Sequence, residues 1–531
     1  MYPGTHAAVT PDKPAVVMAG GRETVTYREL DEGSARLARL LYDRGLREGD
    51  VLALLAENHI RYTEVLWAAM RSGLHLTAIN RHATAEEAAY ILRDAGAAAL
   101  VATHRLAHAA CDAVRGTDCR IRLMIDGTAD GFEPYEKAVA AYPGEPPSYQ
   151  PRGEMMLYSS GTTGRPKGIR RPLLGLDVAD PTGVRSAAMC RRVAGMDRDA
   201  VYLCPAPLYH AGPLGWVRGV HELGATLVVM EKFDAEGMLA VIERERVTHL
   251  QAVPTMLIRL LKLPARVRGA YDLSSLRTLV HAGAPCPVDA KRELIDWLGP
   301  IVTEYYSATE GIGTTVATSE EWLAHPGTVG RPILGTPRIC GPDGGELPAG
   351  ATGSVYFARD AAPFEYHNDP AKTRSARHPH HEHWYSTGDL GYLDDDGYLF
   401  LTDRSAFTII SGGVNIYPAE IEARMVLHPD VADVAVFGLP DDEMGEYVHA
   451  VVQPAEGVRP TPELAEELRT FVRQHLAGPK VPRIVDFRAR LPRLDTGKLY
   501  KLPLRQAYLD RAASEARPHA SADSDHPRGE R

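Results

Sequence analysis

The sequence predicts an α/β protein with a large N-terminal domain of doubly wound αβ subdomains, a β-rich subdomain and a small α+β C-terminal domain. Three observations carry this prediction. Apolar strand patterns alternate with helical patterns in two series between residues 26 and 281. Short strand patterns separated by Asp-Gly turns follow over 327–407, and a compact unit with its own apolar pattern begins after residue 404.

The first alternating series begins with apolar residues at helical spacing over 26–46, where Gly45 supplies a stop signal. The pattern then predicts strand 51–55, helix 62–72, strand 75–79, helix 86–94 and strand 98–101. Such alternation is typical of parallel strands joined by crossover helices. The Pro- and Gly-rich segment 128–153 predicts a connection into one further strand at 155–158.

The second series follows a stretch, 169–199, that shows little periodicity and predicts no element. Residues 201–213 predict a strand that ends in a Pro-rich turn presenting Tyr209 and His210. The series continues with strand 227–230, helix 234–246, strand 249–253, helix 255–263 and strand 276–281. Ligands of doubly wound sheets gather at the carboxyl ends of the strands, so we expect the site there.

A crowd of histidines lies within the β-rich region. We considered a metal site at His378, His380, His381 and His383, but their crowding matches no structural zinc spacing, and an exposed loop is the favoured interpretation.

The C-terminal unit predicts helix 418–425, strands 431–437 and 447–452, and helix 461–476. Its end is rich in Ala, Ser, Asp, His, Pro and Arg, a composition typical of disorder. We therefore expect an N-terminal domain at 1–404, a C-terminal domain at 405–511 and a disordered tail at 512–531.

The composition of the 531-residue chain, with 44% apolar and 24% charged residues, is that of a globular protein. The net charge of −10 argues against a nucleic-acid or anionic-membrane surface. Six scattered cysteines without a CxxC pair predict reduced thiols in a cytoplasmic protein. We expect no export signal and no membrane span, and a homodimer is left open.

An anion-binding loop is predicted by residues 158–168, which read YSSGTTGRPKG. Glycines and hydroxyl residues let backbone N–H groups point into one concavity, and Lys167 adds a positive charge for phosphate oxygens. A Walker A loop needs Gly before the lysine and Ser or Thr after it, whereas Pro166 and Gly168 stand there. A surface turn with a chance lysine is the remaining alternative.

This loop resembles the phosphate-binding signature of the adenylate-forming enzymes, the superfamily of acyl-CoA synthetases, peptide-synthetase adenylation domains and beetle luciferases. Three further stretches match the family in the same order: EYYSATE at 304–310, YSTGDL at 385–390 and PRLDTGK at 492–498. The resemblance runs from the first predicted helix to about residue 505. It implies ATP and Mg²⁺ as cofactors, coenzyme A as acceptor, and a mobile C-terminal domain.

The resemblance also implies roles for individual residues. Glu310 would ligate Mg²⁺, and Lys498 would be the catalytic lysine. Thr163 and His210 would also belong to the catalytic residues. The residues implied to bind ATP are Ser159, Ser160, Gly161, Thr162, Thr163, Gly164, Lys167, Gly283, Ala284, Pro285, Tyr306, Ser307, Thr309, Asp389, Arg404 and Lys498. Within this set Asp389 would accept from the ribose hydroxyls, and Tyr306 would stack on adenine.

Further matches bear on the acyl group and its transfer. The loop Ser411, Gly412 and Gly413 resembles the family's contact to coenzyme A, but Ala406 and Phe407 replace the usual Lys-Asp at the hinge. The expected acyl pocket consists of His210, Gly212, Trp216, Ala282, Ala308, Gly311 and Gly313. Its small residues favour a bulky or long apolar acid. No Asp or Glu occurs between Tyr209 and Val220, which disfavours an amino-acid substrate.

The leading hypothesis is therefore an ATP-dependent carboxylic acid:CoA ligase. The alternative is an acyl-adenylate-forming enzyme that passes its product to a separate thioesterifying enzyme or carrier protein. Phe407 at the hinge is the reason for considering this alternative. A luciferase-like oxygenase and a nucleotide-binding regulator without catalysis belong to other classes. The presence of Lys498, Glu310 and Asp389 argues against the regulator.

Overall fold

The computed structural model describes residues 1–21, 23–159, 166–404, 407–411, 414–441, 443–493 and 499–515. The chain divides near residue 405 into a larger N-terminal unit and a smaller C-terminal unit. Within the described ranges, none of the helices combines the length and the apolar character needed to traverse a bilayer.

The first elements of the N-terminal unit include the helices and strands predicted over 26–101, together with elements on either side that the sequence did not predict, among them a short strand and helix within the predicted connection 128–153. They are α1 (Pro3–Ala7), β1 (Pro14–Met18), β2 (Thr24–Thr26), α2 (Tyr27–Asp43), β3 (Val51–Leu55), α3 (Tyr62–Met70), β4 (His75–Ile79), α4 (Ala85–Asp94), β5 (Ala97–Thr103), α5 (Ala107–Ala113), β6 (Ile121–Ile125), β7 (Glu133–Pro134), α6 (Tyr135–Ala140) and β8 (Glu154–Met155).

These strands build a six-stranded sheet in the order β7-β6-β5-β3-β4-β8, in which every pair is parallel. All residues of β3 and β4 are buried, because helices cover both faces of the sheet. A capping box begins α2: the Thr26 hydroxyl accepts from the Glu29 N–H, and the Glu29 carboxylate accepts from the Thr26 N–H.

The second series contains a hairpin and the main sheet. Its elements are β9 (Leu157–Ser159), β10 (Lys167–Arg170), α7 (Arg185–Ala194), β11 (Val201–Cys204), α8 (Ala211–Leu223), β12 (Thr226–Val229), α9 (Ala235–Glu245), β13 (His249–Ala252), α10 (Pro254–Leu261), α11 (Ala265–Arg268), β14 (Thr278–His281), α12 (Val288–Leu298), β15 (Val302–Ser307), β16 (Thr314–Ala317), α13 (Ser319–Ala324) and β17 (Arg331–Leu334).

The main sheet has nine strands in the order β17-β16-β15-β14-β13-β11-β12-β1-β2. Its central strands, from β15 to β1, are parallel, and antiparallel strands flank them at both edges. The carboxyl ends of β14 and β15 therefore meet at the same edge. Leu203, Leu250 and Leu279 pack into the core on one face, and Tyr202, Val280 and Tyr305 pack on the other.

The strand predicted at 155–158 is two strands. Met155 ends β8, which pairs with β4 in the six-stranded sheet, whereas Leu157 begins β9, which pairs with β10. The chain changes sheets at Met156, which is fully buried. A continuous apolar run cannot show this change, since both strands are buried.

The β-rich region contains β18 (Thr336–Cys340), β19 (Gly353–Ala358), β20 (Glu365–Tyr366), α14 (Pro370–Ser375), β21 (Trp384–Tyr385), β22 (Asp389–Leu393) and β23 (Leu399–Arg404). The order β18-β19-β22-β23, with β21 on β19, is antiparallel, and β20 pairs with β10 instead. One expectation for the histidine loop is corrected. His380, His381 and His383 are exposed, but His378 is buried and its Nε2 lies 2.9 Å from the Gly344 carbonyl oxygen.

The C-terminal unit comprises β24 (Ile409–Ser411), β25 (Val414–Ile416), α15 (Pro418–Met425), β26 (Val431–Asp441), β27 (Gly445–Pro454), α16 (Pro462–Arg473), β28 (Ile484–Phe487) and α17 (Lys501–Glu515). Its sheet has the order β25-β24-β27-β26, with β28 parallel to β27. The helix α17 includes residues 512–515, which the composition assigned to a disordered tail, and residues 516–531 lie outside the described part. The predicted α/β class with a small α+β C-terminal unit is confirmed.

Candidate active site

The hairpin of β9 and β10 frames the predicted phosphate loop. The two strands are antiparallel, and Lys167 stands opposite Ser159, so the ends of the loop lie side by side. Burial, and then the neighbouring Lys372 ammonium, lower the pKa of Lys167. The backbone of Ser159 is described, while residues 160–165, which hold most of the loop, lie outside the described residues.

A cluster of polar side chains anchors this hairpin to α4, a helix that packs on the six-stranded sheet. The Tyr158 hydroxyl donates to Oδ2 of Asp94 at 2.6 Å, and Asp94 ends α4. The Asp94 carbonyl oxygen accepts from Asn368 at 3.1 Å and lies 3.0 Å from His367 Nε2. Both residues follow β20, which pairs with β10, so the cluster fixes the hairpin from two sides.

The predicted nucleoside residues meet at the carboxyl edge of the main sheet. Tyr306, near the end of β15, donates from its hydroxyl to Oδ2 of Asp389 at 2.6 Å. The Thr387 hydroxyl donates to the same oxygen at 2.8 Å, and Asp389 is buried. Arg404 stands directly opposite Asp389 in the β22–β23 pair. The structure therefore brings Tyr306, Asp389 and the backbone of Arg404 together.

The opposite wall of the predicted nucleoside site is the turn that follows β14. Gly283 has φ of +88°, a conformation that favours glycine, and the turn is largely exposed at Gly283 and Pro285. Because β14 pairs in parallel with β15, Gly283, Ala284 and Pro285 leave the same sheet edge as Tyr306. An exposed turn beside an aromatic ring can hold a flat ligand.

Glu310 is buried, so the alternative of a solvated loop acid does not hold. Its Oε1 accepts a 2.7 Å hydrogen bond from the hydroxyl of Tyr366, on β20. This donor set fits Mg²⁺, which proteins bind through one or two carboxylates together with substrate phosphates. Tyr366 holds one carboxylate oxygen in place. The resemblance implies that the phosphates of ATP would lie next to the neighbouring residues of the EYYSATE motif.

Arg171 is a residue that the sequence interpretation missed. It follows β10 and donates from Nη2 to the Thr309 carbonyl oxygen at 2.7 Å. Burial lowers the pKa of Arg171, while the carboxylates of Glu154 and Glu310 act in the opposite sense. A Cβ on Gly311 would lie 2.9 Å from the Arg171 guanidinium. Arg171 therefore supports the turn that presents Thr309 and Glu310. In the sequence, the two adjacent arginines shortly after the phosphate loop are the feature that could have identified it.

The expected acyl residues lie on one face of the main sheet and on α8, a helix that the sequence did not predict. His210 is the residue before α8, and its ring lies 4.2 Å from that of Tyr209 between centroids. Trp216 is buried on the helix and donates from Nε1 to the Tyr305 hydroxyl at 3.1 Å. Ala282 follows β14 on the same face.

Two residues of the expected pocket have other neighbours. A Cβ on Gly313 would lie 2.0 Å from Cδ1 of Phe357, so Gly313 faces that ring and admits no larger residue. Gly311 faces Arg171 as described above, and its φ is +66°. Ala308 is half-buried and Ser307, whose hydroxyl donates to the Gly313 carbonyl oxygen at 2.9 Å, is exposed.

Several predicted residues lie outside the described part of the chain: Ser160, Gly161, Thr162, Thr163, Gly164, Gly412, Gly413 and Lys498. Ser411 is described; it is half-buried at the end of β24 and stands opposite Val414 and Gly445. Phe407 is also half-buried, and the Lys501 ammonium lies 5.4 Å from its ring centroid.

Comparisons with known proteins agree with this arrangement. The AMP-binding enzyme family matches residues 4–362, and the AMP-binding enzyme C-terminal domain matches residues 420–498. Feruloyl-CoA synthase of Amycolatopsis sp. is 34% identical over 514 residues, which are 96% of this chain and 98% of that protein. A fatty acid–acyl-carrier-protein ligase of Streptomyces coeruleorubidus is 33% identical over 513 residues, 95% of this chain and 95% of that protein.

Solved structures show the same likeness. The o-succinylbenzoate CoA synthetase of Bacillus subtilis, in complex with its acyl-adenylate intermediate, superposes with a TM-score of 0.79 at 27% identity. The superposition covers 95% of this chain and 97% of that chain.

Proposed function

The chain belongs to the AMP-binding enzyme family, and from this membership we propose that it is an AMP-forming acyl-CoA synthetase, an acid–thiol ligase that uses ATP. The resemblance to adenylate-forming enzymes, inferred from four motifs, is confirmed by the family match. The observation that carries the proposal is the 2.6 Å hydrogen bond between Tyr306 and Asp389, the two residues that we propose to hold the nucleoside.

The first half-reaction forms an acyl-adenylate. A carboxylate oxygen of the acid attacks the α-phosphorus of ATP, the bond to the β-phosphate oxygen breaks, and pyrophosphate leaves. The loop at 159–164 and Lys167 hold the β- and γ-phosphates, while Asp389 accepts from the ribose hydroxyls. Lys498 neutralises the charge that develops between the carboxylate and the α-phosphate.

Glu310 is the residue proposed to hold Mg²⁺, with Tyr366 fixing the carboxylate. The cation, when bound, supplies charge neutralisation for the phosphate oxygens. Arg171 keeps the backbone of Thr309 in place and so positions the residues next to the α-phosphate.

The second half-reaction transfers the acyl group. The thiol sulfur of coenzyme A attacks the acyl carbonyl carbon, the carbon–oxygen bond to AMP breaks, AMP leaves and the thiol proton is released. Ser411, Gly412 and Gly413 are proposed to contact the incoming thiol carrier, and His210 lies at the junction with the acyl pocket. We propose a bulky or long apolar acid as substrate, on the basis of the small side chains around Ala282 and Gly212.

The proposal is tested by incubating the purified protein with ATP, Mg²⁺ and medium-chain, long-chain, aromatic and polycyclic acids, with and without coenzyme A. Mass spectrometry would follow acyl-AMP and acyl-CoA. We expect both products from one class of acid and loss of acyl-AMP formation in Lys498→Ala. Lys480→Ala is the matched control, since Lys480 pairs with Glu420 elsewhere in the C-terminal unit. No acyl-AMP from any acid would overturn the proposal.

A second candidate function is favoured by Phe407. At the hinge position the aromatic ring packs near the Lys501 ammonium, which itself pairs with Glu422 at 2.7 Å. We propose that this aromatic residue, in place of the usual charged pair, restricts the backbone rotation at the hinge that thioester formation needs, and that the acyl-adenylate then passes to a separate enzyme or carrier protein. The distinguishing result is acyl-AMP that never becomes acyl-CoA in the parent chain but does so in Phe407→Asp.

A further inference from the structure

The hydroxyl of Tyr305 accepts two hydrogen bonds on the face of the main sheet that carries the expected acyl residues. Its oxygen accepts from Trp216 Nε1 at 3.1 Å and from Gln251 Nε2 at 2.9 Å. A phenolic oxygen offers two lone pairs, so both are occupied. Among the residues that the structure describes, these are the groups that hydrogen-bond the Tyr305 hydroxyl, and with the Gln251 amide in this orientation both of them donate to it.

That proton stays on Tyr305 through the physiological range. Burial raises the pKa of Tyr305 to about 12, and the two donated hydrogen bonds only partly oppose the shift. The side chain is 8% exposed. A buried donor without an acceptor is unfavourable, so the geometry leaves one interaction for a ligand to supply.

A stretch of α8 without side chains lies near this hydroxyl. Gly212 and Gly215 are three residues apart on α8 and so share a face. A Cβ on Gly212 would lie 3.5 Å from Gln251 Nε2 and 3.7 Å from the Tyr305 oxygen. Apart from Gly215 itself, its chain neighbours and the adjacent backbone of α8, no heavy atom in the described ranges lies within 4 Å of the place that a Cβ would take on Gly215. The two glycines therefore leave space that borders the donor.

We propose that the Tyr305 hydroxyl donates a hydrogen bond to an oxygen on the acyl group, and that the substrate is an aromatic acid carrying a hydroxyl or alkoxy oxygen on its ring. This inference rests on the proposed function and narrows its apolar acid to one with a single polar point. Tyr305 is then a specificity-determining residue, with Gln251 and Trp216 orienting its hydroxyl.

The surroundings favour a ring over an alkyl chain. The Trp216 ring is tilted by 47° to that of Tyr305 at a centroid distance of 5.9 Å, and Tyr202 stacks on Trp216 at 5.9 Å. The Trp216 and Tyr305 rings and the bare helix face at Gly212 border the same space. An aromatic acid can pack against such rings, and its oxygen substituent supplies the acceptor that an unsubstituted alkyl chain lacks.

The test compares matched acids in the adenylation step. 3-Phenylpropenoic acid, its 3-hydroxy, 4-hydroxy and 4-methoxy ring derivatives, and a straight-chain acid of similar length would be assayed for acyl-AMP formation. The parent should prefer at least one oxygenated acid over the unsubstituted one by about tenfold or more in kcat/KM, because a site built to hydrogen-bond an oxygen rejects the analogue that lacks it.

Tyr305→Phe removes only the hydroxyl and should bring that ratio close to one, while activity on the unsubstituted acid is kept. Tyr202→Phe is the matched control: Tyr202 is buried on the same face and its hydroxyl has no hydrogen-bond partner among the described residues. Its preference should equal that of the parent.

Two results would overturn the inference: a parent that adenylates the unsubstituted and all oxygenated acids alike, and a Tyr305→Phe variant that keeps the parent's ratio or slows every acid equally. Either result leaves the proposed ligase intact, provided acyl-AMP forms. If none of the acids, including the straight-chain one, gives acyl-AMP, the result instead contradicts the proposed function itself.

Discussion

The hydroxyl of Tyr306 donates to Oδ2 of Asp389 across 2.6 Å, which joins the end of β15 in the main sheet to the start of β22 in the β-rich sheet. The two residues are 83 positions apart in the chain. The Thr387 hydroxyl donates to the same oxygen. Three side chains of the N-terminal unit are thus locked together where the nucleoside is proposed to bind, and the carboxylate has one fixed orientation.

Asp389→Ala should raise the KM for ATP about 100-fold, because hydrogen bonds to a charged group are worth roughly 1.5–3 kcal/mol each. Tyr306→Phe keeps the ring but frees the carboxylate, so we expect a smaller rise of about tenfold. The measurement is the ATP dependence of acyl-AMP formation. Thr387→Val, which removes the weaker donor, serves as the control; an unchanged KM in Asp389→Ala would exclude the ribose role.

Glu310 and Tyr366 provide a separate test of the cation role. Glu310→Gln preserves an acceptor for Tyr366 but removes the charge, and we expect kcat to fall by about 100-fold or more, since the cation loses its anionic ligand and then neutralises the phosphate charges less effectively. The Mg²⁺ concentration needed for half-maximal rate should rise. Tyr366→Phe keeps the carboxylate and should cost about tenfold. Equal Mg²⁺ dependence in Glu310→Gln and the parent would contradict the assignment.

Gly311→Ala should disturb the turn that carries Thr309 and Glu310. The φ of +66° strains any residue with a Cβ by about 1–2 kcal/mol, and the added atom also meets the Arg171 guanidinium at 2.9 Å. Gly175→Ala is the matched control, because Gly175 has φ of +64° and, apart from its chain neighbours, no heavy atom of the described chain would lie within 4 Å of its Cβ. We expect both variants to lower the melting temperature, and only Gly311→Ala to lower kcat. Equal kcat values in the two variants would show that the clash between the new Cβ at Gly311 and Arg171 does not disturb the active site.

Much of the fold followed from local pattern. The strands predicted at 51–55 and 75–79 coincide with β3 and β4, because a short, fully buried strand between helices leaves an uninterrupted apolar run. The helix α8 escaped prediction since glycines at 212, 215 and 219 lower helix propensity, and here tertiary packing outweighs it. Gly219 is needed because a Cβ there would lie 2.5 Å from Sγ of Cys190.

The sequence predicted those site residues that belong to recognisable motifs. Tyr306, Glu310 and Asp389 were identified from their motifs, but their partners are distant in sequence: Tyr366 is 56 positions from Glu310. No local pattern assigns such pairs. Tyr305 was overlooked for a different reason, since the motif drew attention to its neighbour Tyr306, while strand alternation turns Tyr305 to the opposite face of the sheet.

His221 on α8 makes a pH-sensitive contact in the core. Trp67 Nε1 can only donate, so Nδ1 of His221, 3.0 Å away, accepts, and Nε2 carries the proton that it donates to the Ala15 carbonyl oxygen at 3.1 Å. The neutral imidazole is the form that satisfies both partners. Burial accordingly lowers the pKa of His221 from 6.5 to about 4.

Since the folded pKa of His221 is depressed, the unfolded chain binds more protons between pH 6.5 and pH 4, and stability rises with pH in that window. The contribution is fully present above pH 6.5 and is lost as the pH falls to about 4, amounting to about 3 kcal/mol at 1.36 kcal/mol per pH unit. His221→Gln should be less stable than the parent at pH 7.5 in urea unfolding, with a smaller loss of stability on going to pH 5. Identical pH slopes in the two proteins would show that His221 does not titrate on unfolding, and a steeper slope in His221→Gln would reverse the sign derived from its burial.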